Sequence, residues 1–416
     1  NKKENDWRWF RVLENVKIGV FVMGGIAAYK VPELVRQLIK KGAQVQVAMT
    51  QSAQEFVTPL TLQVLTKRQV LTHTFDEREP SQVQHVAMAD WCDLALVVPA
   101  TANGLAKMAH GLADDVVTTT LLAVTAPVLV VPAMNVHMYE NPATQRNLAQ
   151  LRADGLTIME PDTGFLAEGY EGKGRLPELH RIVAQVERLY ARTHLPQSLA
   201  GKQVIVSAGG TRERIDPVRY ISNDSSGKMG YAMAQAADWL GATVTLVSTT
   251  QSLLPPEGVQ VQEVASAQEL AQAMTSHYDQ MDYVVMAAAV SDYRVKHPHD
   301  QKIKKVAGQT DWQLDLVQNP DILAQLGQTK RQQVLIGFAA ETQNLLEHAR
   351  AKLSKKGADW LIANDVSNPA IGFNSDKNQV YVLGAQGQEV LLPQQSKTSL
   401  ALAAWQVILA EGEETL

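Results

Sequence analysis

The chain has 416 residues, 45% hydrophobic and 19% charged, which suits a globular protein and at this length predicts two or three domains rather than one core. A net charge of −5 with no face-wide excess of Lys and Arg gives no reason to expect a nucleic-acid groove. The single cysteine excludes an intrachain disulfide framework and a cysteine-based zinc site, so a reducing cytoplasm is expected.

The opening segment, NKKENDWRWFRVLEN, lacks the apolar region of a signal peptide, and no functional reading attaches to it. No apolar run approaches the ~20 residues that span a bilayer, so no membrane partner is expected. Runs rich in Val, Leu and Ile then predict strands at 16–23, 43–50, 94–100, 127–133 and 156–160, covered on both faces as in a parallel sheet. Cys92, in DWCDLALVV, reads as an inert thiol beside one of these strands.

Loops at the carboxyl ends of such strands carry the chemistry. In MGGIAAYK, Gly24 and Gly25 let the backbone approach a phosphate in front of a helix N-terminus, although the spacing is not that of a dinucleotide fingerprint. PATANGLAK repeats the arrangement with Thr101 and Asn103 as side-chain donors. Two such loops point to one phosphorylated ligand, a mononucleotide or flavin mononucleotide. His85 is either structural or catalytic. Asn135, after a strand and a proline, is either a helix cap or a grip for a carboxylate. The stretch GFLAEGYEGKGRL (164–176) has four glycines in thirteen residues, which predicts a mobile loop with no regular helix or strand.

A charged helical segment at 176–193 leads into the Pro/Gly/Ser break HLPQSLAGK, where the boundary between domains 1–193 and 194–416 is placed. Strands are predicted again at 203–210, 243–248, 283–290, 334–340 and 360–365, with a closing antiparallel hairpin in QVYVLGAQGQEVLL. The expected fold is α/β: two doubly wound, mostly parallel sheet domains, flavodoxin-like or Rossmann-like, in tandem. In the second, YISNDSSGKMGYAMAQAA imitates a phosphate loop but lacks its first glycine and final Ser/Thr; Ser225, Ser226 and Gly227 still precede a helix and suit an anion. The clusters KIKK (302–305) and KLSKK (352–356) are solvated faces or converge on a triphosphate. His297 and His299 have metal-like spacing without an acid or cysteine cluster, and no protein-built metal site is expected.

From residue 16 to about 405 the chain resembles the bacterial bifunctional phosphopantothenoylcysteine decarboxylase/phosphopantothenate–cysteine ligases of coenzyme A biosynthesis. The resemblance rests on GGIAAYK, PATAN, PAMNVHMY, DPVRYISNDSSGKMG, AAAVSDYR, KIKK, NPDI, GFAAET and ANDV, in that order. It implies an FMN-dependent decarboxylase in the first domain, with Gly25, Ile26, Ala27, Thr50, Ala100, Thr101 and Asn103 at the flavin. It also implies His85 as acid/base and Asn135 as the group holding the substrate carboxylate. The family flap carries a cysteine, which protonates the enethiolate, where this chain has Glu168; the serine usual before the paired glycines is Met23. Glu168 is therefore expected to donate that proton, its pKa raised by Phe165 and Leu166 in a closed, dry flap. The alternatives are an active ligase with a degenerate flavin domain, and a non-enzymatic flavin-binding regulatory subunit.

For the second domain the resemblance implies CTP-dependent ligation of L-cysteine to 4′-phosphopantothenate through an acyl-cytidylate. Asn223 would contact that intermediate, and Ala288, Asp292 and Phe338 would line the nucleotide pocket. Lys302, Lys352 and Lys356 would contact the nucleotide, and Asn319, Pro320, Asp321 and Ile322 would complete the site. Mg²⁺ would travel with the triphosphate. The family also implies a homo-oligomer: trimers of the flavin domain and dimers of the ligase domain, both satisfied by a dodecamer.

Overall fold

The computed structural model describes residues 11–75, 81–165, 169–305, 310–341, 344–365 and 375–410. They form two compact units that divide between Leu195 and Pro196.

In the first unit, chain order runs β1 (Lys17–Val22), α1 (Val31–Lys40), β2 (Gln44–Met49), α2 (Pro59–Thr66), α3 (Gln84–Trp91), β3 (Leu94–Ala100), α4 (Ala102–His110), α5 (Val116–Ala123), β4 (Val128–Pro132), α6 (Val136–Glu140), α7 (Pro142–Ala153) and β5 (Thr157–Ile158). A hairpin, β6 (Asp162–Phe165) and β7 (Glu171–Arg175), precedes α8 (Leu179–His194). Strands β1 to β5 form one parallel sheet in the order 2-1-3-4-5. Its strands alternate between two buried layers: Ile18, Val20 and Val22 of β1 enter one, and Phe21 enters the other. Helix α1 shows how the outer layer docks, because Val31, Leu34, Val35 and Leu38 recur at helical spacing and are all buried. Cys92 closes the second layer against Gly19, where an added Cβ would lie 2.4 Å from its sulfur. Its thiol donates to the Met88 carbonyl at 3.0 Å, and burial pushes its pKa up to about 12.

The glycine-rich stretch after β5 departs from the expected irregular loop. β6 and β7 pair antiparallel, with Gly164 opposite Gly172. The glycines here make room rather than break the strand. A Cβ on Gly172 would meet Val136 Cβ at 2.8 Å, and one on Gly174, whose φ is +152°, would lie 2.1 Å from the Met134 carbonyl oxygen. Because that clash is with backbone, Gly174→Ala should destabilise the first unit by roughly 1–3 kcal/mol. The expected result is a thermal transition of this unit lowered by several degrees, the second unit's being unmoved; calorimetry of the full chain checks it.

The second unit comprises β8 (Gln203–Ala208), β9 (Arg212–Asp216), β10 (Arg219–Ser222), α9 (Lys228–Trp239), β11 (Thr243–Ser248), β12 (Gln260–Glu263), α10 (Ala267–His277), β13 (Tyr283–Met286), β14 (Tyr293–Val295) and β15 (Leu316–Gln318). It continues with α11 (Ile322–Thr329), β16 (Val334–Glu341), α12 (Leu345–Lys356), β17 (Trp360–Asp365), β18 (Lys377–Gly384), β19 (Glu389–Ser396) and α13 (Lys397–Leu409). The main sheet has the order β12-β11-β8-β13-β16-β17-β18-β19, parallel through β17 and antiparallel for the last two strands. Trp239 and Trp405 fill the layer where α13 packs on α9, and the Trp405 indole donates to the Met233 carbonyl at 3.1 Å. The short pairs β9–β10 and β14–β15 stand outside the main sheet. The fold is the expected one, two doubly wound α/β units in tandem. In each, strand order reverses beside the first strand, so a crevice opens at the carboxyl ends there.

Candidate functional sites

The first crevice has a volume of about 1060 Å³ and collects the loops that follow four parallel strands. Gly24 to Lys30 come from behind β1, Thr50 to Ser52 from behind β2, Thr101 to Lys107 from behind β3, and Ala133 to Asn135 from behind β4. The two glycines have different duties. A Cβ on Gly24 would collide with Ser52 at 2.3 Å, so this residue seats one loop on another; one on Gly25 would meet only Thr101 Cγ2, at 3.6 Å. Gly25 therefore offers bare backbone to the crevice. The Thr101 hydroxyl caps α4 by accepting from the Gly104 N–H at 3.2 Å, and the Thr50 hydroxyl accepts from the Ala53 N–H at 3.2 Å. Met23 is buried and packs against Gly104, where an added Cβ would lie 2.0 Å from its sulfur.

Around the opening, Ile26, Met138 and Phe165 are exposed apolar side chains. Lys107 pairs with Asp114 at 2.6 Å and Asp115 at 3.1 Å; the bond to Asp114 raises the lysine pKa and lowers that of the carboxyl. Backbone donors at helix starts with an apolar rim suit a ligand that has an anionic tail and a flat ring system, so the residues present fit a flavin mononucleotide.

Of the two readings offered by its sequence position, Asn135 makes the helix cap. Its Oδ1 caps α6 by accepting from the His137 N–H at 2.8 Å, which fixes its amide so that Nδ2 donates to the Tyr170 hydroxyl at 2.5 Å. Tyr170 precedes β7, so the hairpin reaches the asparagine through it. The same hairpin is anchored below by Glu160, which accepts from Lys173 and the Tyr139 hydroxyl, both at 2.6 Å, and pairs with Arg152. Burial opposes ionisation of Glu160, but the Lys173 and Tyr139 hydrogen bonds outweigh it and hold the carboxyl below its usual range. Of the other expected residues, Ile26, Ala27 and Asn103 line the crevice. Ala100 is fully buried in β3, and His85 lies on α3; neither lines the crevice. His85 Nδ1 is a buried nitrogen with no hydrogen-bond partner among the described residues. Glu168 lies outside the described residues.

The second crevice, about 740 Å³, is lined by the segment that leads into α9, the loop behind β13 and the carboxyl halves of β16 and β17. The loop 222–227 approaches closely because Gly210 has no side chain; a Cβ there would sit 2.6 Å from the Asn223 carbonyl oxygen. Asn223 Nδ2 donates to the Val290 carbonyl at 3.2 Å, and Gly227, at φ +75°, turns the chain into α9. Asn319 is buried and bridges Ser291 O at 2.8 Å and an Arg294 guanidinium nitrogen at 3.3 Å. Asp321 caps α11 and pairs with Lys356; burial would raise its pKa, but that lysine lowers it. Lys352 Nζ donates to the Phe338 carbonyl at 2.9 Å. Ala288, Asp292, Asn319, Pro320, Asp321, Ile322, Phe338, Lys352 and Lys356 thus share one crevice with Asn223.

Lys302 is not among its lining residues. Its loop is instead fastened to the β9–β10 turn by Asp216, a buried carboxylate. Asp216 accepts from the backbone N–H groups of Val218 and Arg219, each at 2.9 Å, and of Ile303 at 3.1 Å, besides the Arg219 side chain at 2.5 Å. Burial alone would raise its pKa, but Arg219 and these N–H groups hold it far below the usual carboxylate range. A depressed folded-state pKa adds stability that is present above the unfolded value near ~3.9 and is lost as pH falls below it. Asp216→Asn removes the charge at all pH values, so it should free the Ile303 segment at pH 7. Faster tryptic cleavage within 302–305, with the rest of the digestion pattern unchanged, is the expected readout.

Sequence reading missed Tyr170, Glu160 and Asp216, and at the second crevice Asn364, Asn378 and Lys397. Only the GK of the phosphate-loop imitation pointed to Lys228, which lines that crevice. Among the described residues no group of three or more His, Cys, Asp or Glu side chains could hold a metal ion, and His297 and His299 form no such site.

Comparison with known proteins divides the chain in a similar way. The model of the family named Flavoprotein matches residues 10–191, and that of the DNA/pantothenate metabolism flavoprotein C-terminal domain matches residues 199–411. Over 406 residues the chain is 47% identical to the coenzyme A biosynthesis bifunctional protein CoaBC of Bacillus subtilis (strain 168), covering 97% of this chain and 99% of that protein. It is 44% identical to the protein of the same name from Escherichia coli (strain K12), covering 91% and 93%. Solved structures similar to it include the C-terminal domain of a coenzyme A biosynthesis bifunctional protein CoaBC, with 40% identity over 52% of this chain and 99% of that chain, at a TM-score of 0.45. The FMN-dependent cysteine decarboxylase SpaF is 33% identical over 43% of this chain and 97% of that chain, at a TM-score of 0.38.

Proposed function

The chain belongs to the family of coenzyme A biosynthesis bifunctional proteins, and we propose that it joins L-cysteine to 4′-phosphopantothenate at the expense of CTP and then decarboxylates the product to 4′-phosphopantetheine. The observation that carries this reading is the pair of crevices, one to each unit, each holding residues that the family resemblance singles out.

In the ligase unit (194–416), the substrate carboxylate attacks the α-phosphorus of CTP, forming an acyl-cytidylate and releasing pyrophosphate. The cysteine amine then displaces CMP. Lys352 and Lys356 neutralise the nucleotide, Asn223 meets the acyl-cytidylate, Lys302 approaches from its loop, and Mg²⁺ travels with the triphosphate. Charge neutralisation and alignment are what such a step needs. In the decarboxylase unit (1–193), Gly25, Ile26, Ala27, Thr50, Thr101 and Asn103 would hold FMN, and Ala100, buried at the end of β3, leads into Thr101. When bound, the flavin accepts and returns a hydride, which makes the substrate carboxylate easy to lose. Asn135 grips that carboxylate and Glu168 protonates the enethiolate, while His85, which lies on α3 outside the lining of the crevice, is the acid/base that the family resemblance implies. The working form is a cytoplasmic homo-oligomer.

The test is a flavin absorption spectrum of the purified chain, followed by mass spectrometry after addition of CTP, cysteine and 4′-phosphopantothenate. Phosphopantetheine is the expected product. Glu168 in place of the family's cysteine motivates the one competing reading, an active ligase with a degenerate flavin unit. Phosphopantothenoylcysteine accumulating without CO₂ release would establish that instead. Glu168→Gln should stall the reaction after decarboxylation, leaving an oxidised product; undiminished phosphopantetheine formation would remove Glu168 from its role.

A further inference from the structure

Asn135 opens α6, and α6 meets β7 at several points. The Met134 N–H, just ahead of Asn135, donates to the Gly174 carbonyl of β7 at 3.0 Å. Val136 lies against Gly172, and the Asn135 amide meets the Tyr170 hydroxyl. Glu160 joins the two elements a second time. Its Oε2 accepts from the Tyr139 hydroxyl of α6 and from the Lys173 ammonium of β7, each at 2.6 Å, while Oε1 pairs with Arg152 of α7. The Lys173 ammonium also stands 5.3 Å from the centre of the Tyr139 ring. The Tyr139 N–H donates to the Asn135 carbonyl at 2.9 Å, so this bridge lies one helical turn from the asparagine.

We propose that Glu160 is a positioning residue for decarboxylation. By bridging Tyr139 to Lys173 it holds β7, and with it the Tyr170 hydroxyl, in the register that aims the Asn135 amide at the substrate carboxylate. The role rests on reading the first unit as a decarboxylase. Glu160 does not line the crevice, so it acts only through these partners. Magnitudes separate such a role from a structural one. The Glu160 side chain is 50% exposed and those of Arg152 and Lys173 are each 42% exposed, and ion pairs this open add little stability. Alignment is far more sensitive, because a displacement of about 1 Å at a reacting group costs as much as ~100-fold in rate. The cap holds Asn135 Oδ1 on α6, so a shift of β7 is felt at Nδ2, the donor that the carboxylate needs.

CO₂ release from phosphopantothenoylcysteine by the full, flavin-loaded chain tests this, with the ligase rate and the thermal transition of the first unit read beside it. A glutamine offers one oxygen and no charge to the Tyr139, Lys173 and Arg152 donors, so Glu160→Gln should lower kcat on the order of tenfold to a hundredfold. KM should change far less, because a misaligned donor still binds the carboxylate. The ligase rate and the thermal transition should stay at their wild-type values. Lys173→Met breaks the same bridge from β7 and should repeat the loss in kcat. Tyr170→Phe should cost a comparable factor, and its combination with Glu160→Gln should lose no more than the worse single variant, since both cut one chain of contacts. Losses that multiply would overturn the proposal, as would undiminished kcat in Glu160→Gln or Lys173→Met, or a loss of activity that follows unfolding of the first unit. Wild-type protein that releases no CO₂ would instead sink the decarboxylase reading itself.

Discussion

Asn135→Asp is expected to lower decarboxylation on the order of a hundredfold to a thousandfold while leaving the ligase rate untouched. The variant separates the two duties of this side chain. An aspartate oxygen can still accept from the His137 N–H, now made at 2.8 Å, so the cap of α6 survives. What is lost is the Nδ2 donor, and in its place stands a second negative charge facing a substrate carboxylate. Removing one placed donor typically costs that much in rate, and like charges in a partly enclosed crevice add to it. Asn135→Ala should lose activity too, but it also uncaps α6 and withdraws the partner of Tyr170. Comparing CO₂ release by the two variants therefore assigns the loss: similar activity for aspartate and wild type would show that Asn135 acts only as a cap.

How much of this was legible depended on how far apart the interacting residues lie. The parallel strands were readable because both faces are covered, so LALVVPA and VLVVP are apolar throughout. The loops after them were readable for the same reason: Gly25, Thr101 and Asn319 follow or flank strands whose direction fixes where the loops must gather. The hairpin β6–β7 was not, because Gly172 and Gly174 are glycines on account of Val136 and Met134, which no local pattern reveals. Asp216 sits in RIDPVRY, which reads as an ordinary turn; its bond to Ile303 spans 87 residues. Lys228 and Asp376 are 148 residues apart. Long-range polar partners leave no periodicity, whereas burial of a whole strand face does.

Among the residues that line the second crevice, the largest effect is expected at Lys352. Its ammonium is held at 2.9 Å from the Phe338 carbonyl by β16, so the charge stands in place before a nucleotide arrives. Preorganised charge of this kind avoids the reorganisation that a mobile lysine would require in the transition state. Lys352→Ala should cut CTP-dependent pyrophosphate release on the order of a hundredfold to a thousandfold, with the flavin spectrum unchanged. Lys356 differs, because its ammonium is engaged by Asp321, and that carboxylate must be outcompeted before the lysine can serve the nucleotide. Lys302 differs again: the family resemblance puts it on the nucleotide, while its loop is fastened to β10 through Ile303 and Arg219. Lys302→Ala should abolish acyl-cytidylate formation if that loop swings to the crevice when CTP binds, and the Asp216→Asn variant, with the loop released, should then alter the CTP dependence as well. Normal ligation by Lys302→Ala, beside a crippled Lys352→Ala, would place the whole electrostatic burden on α12.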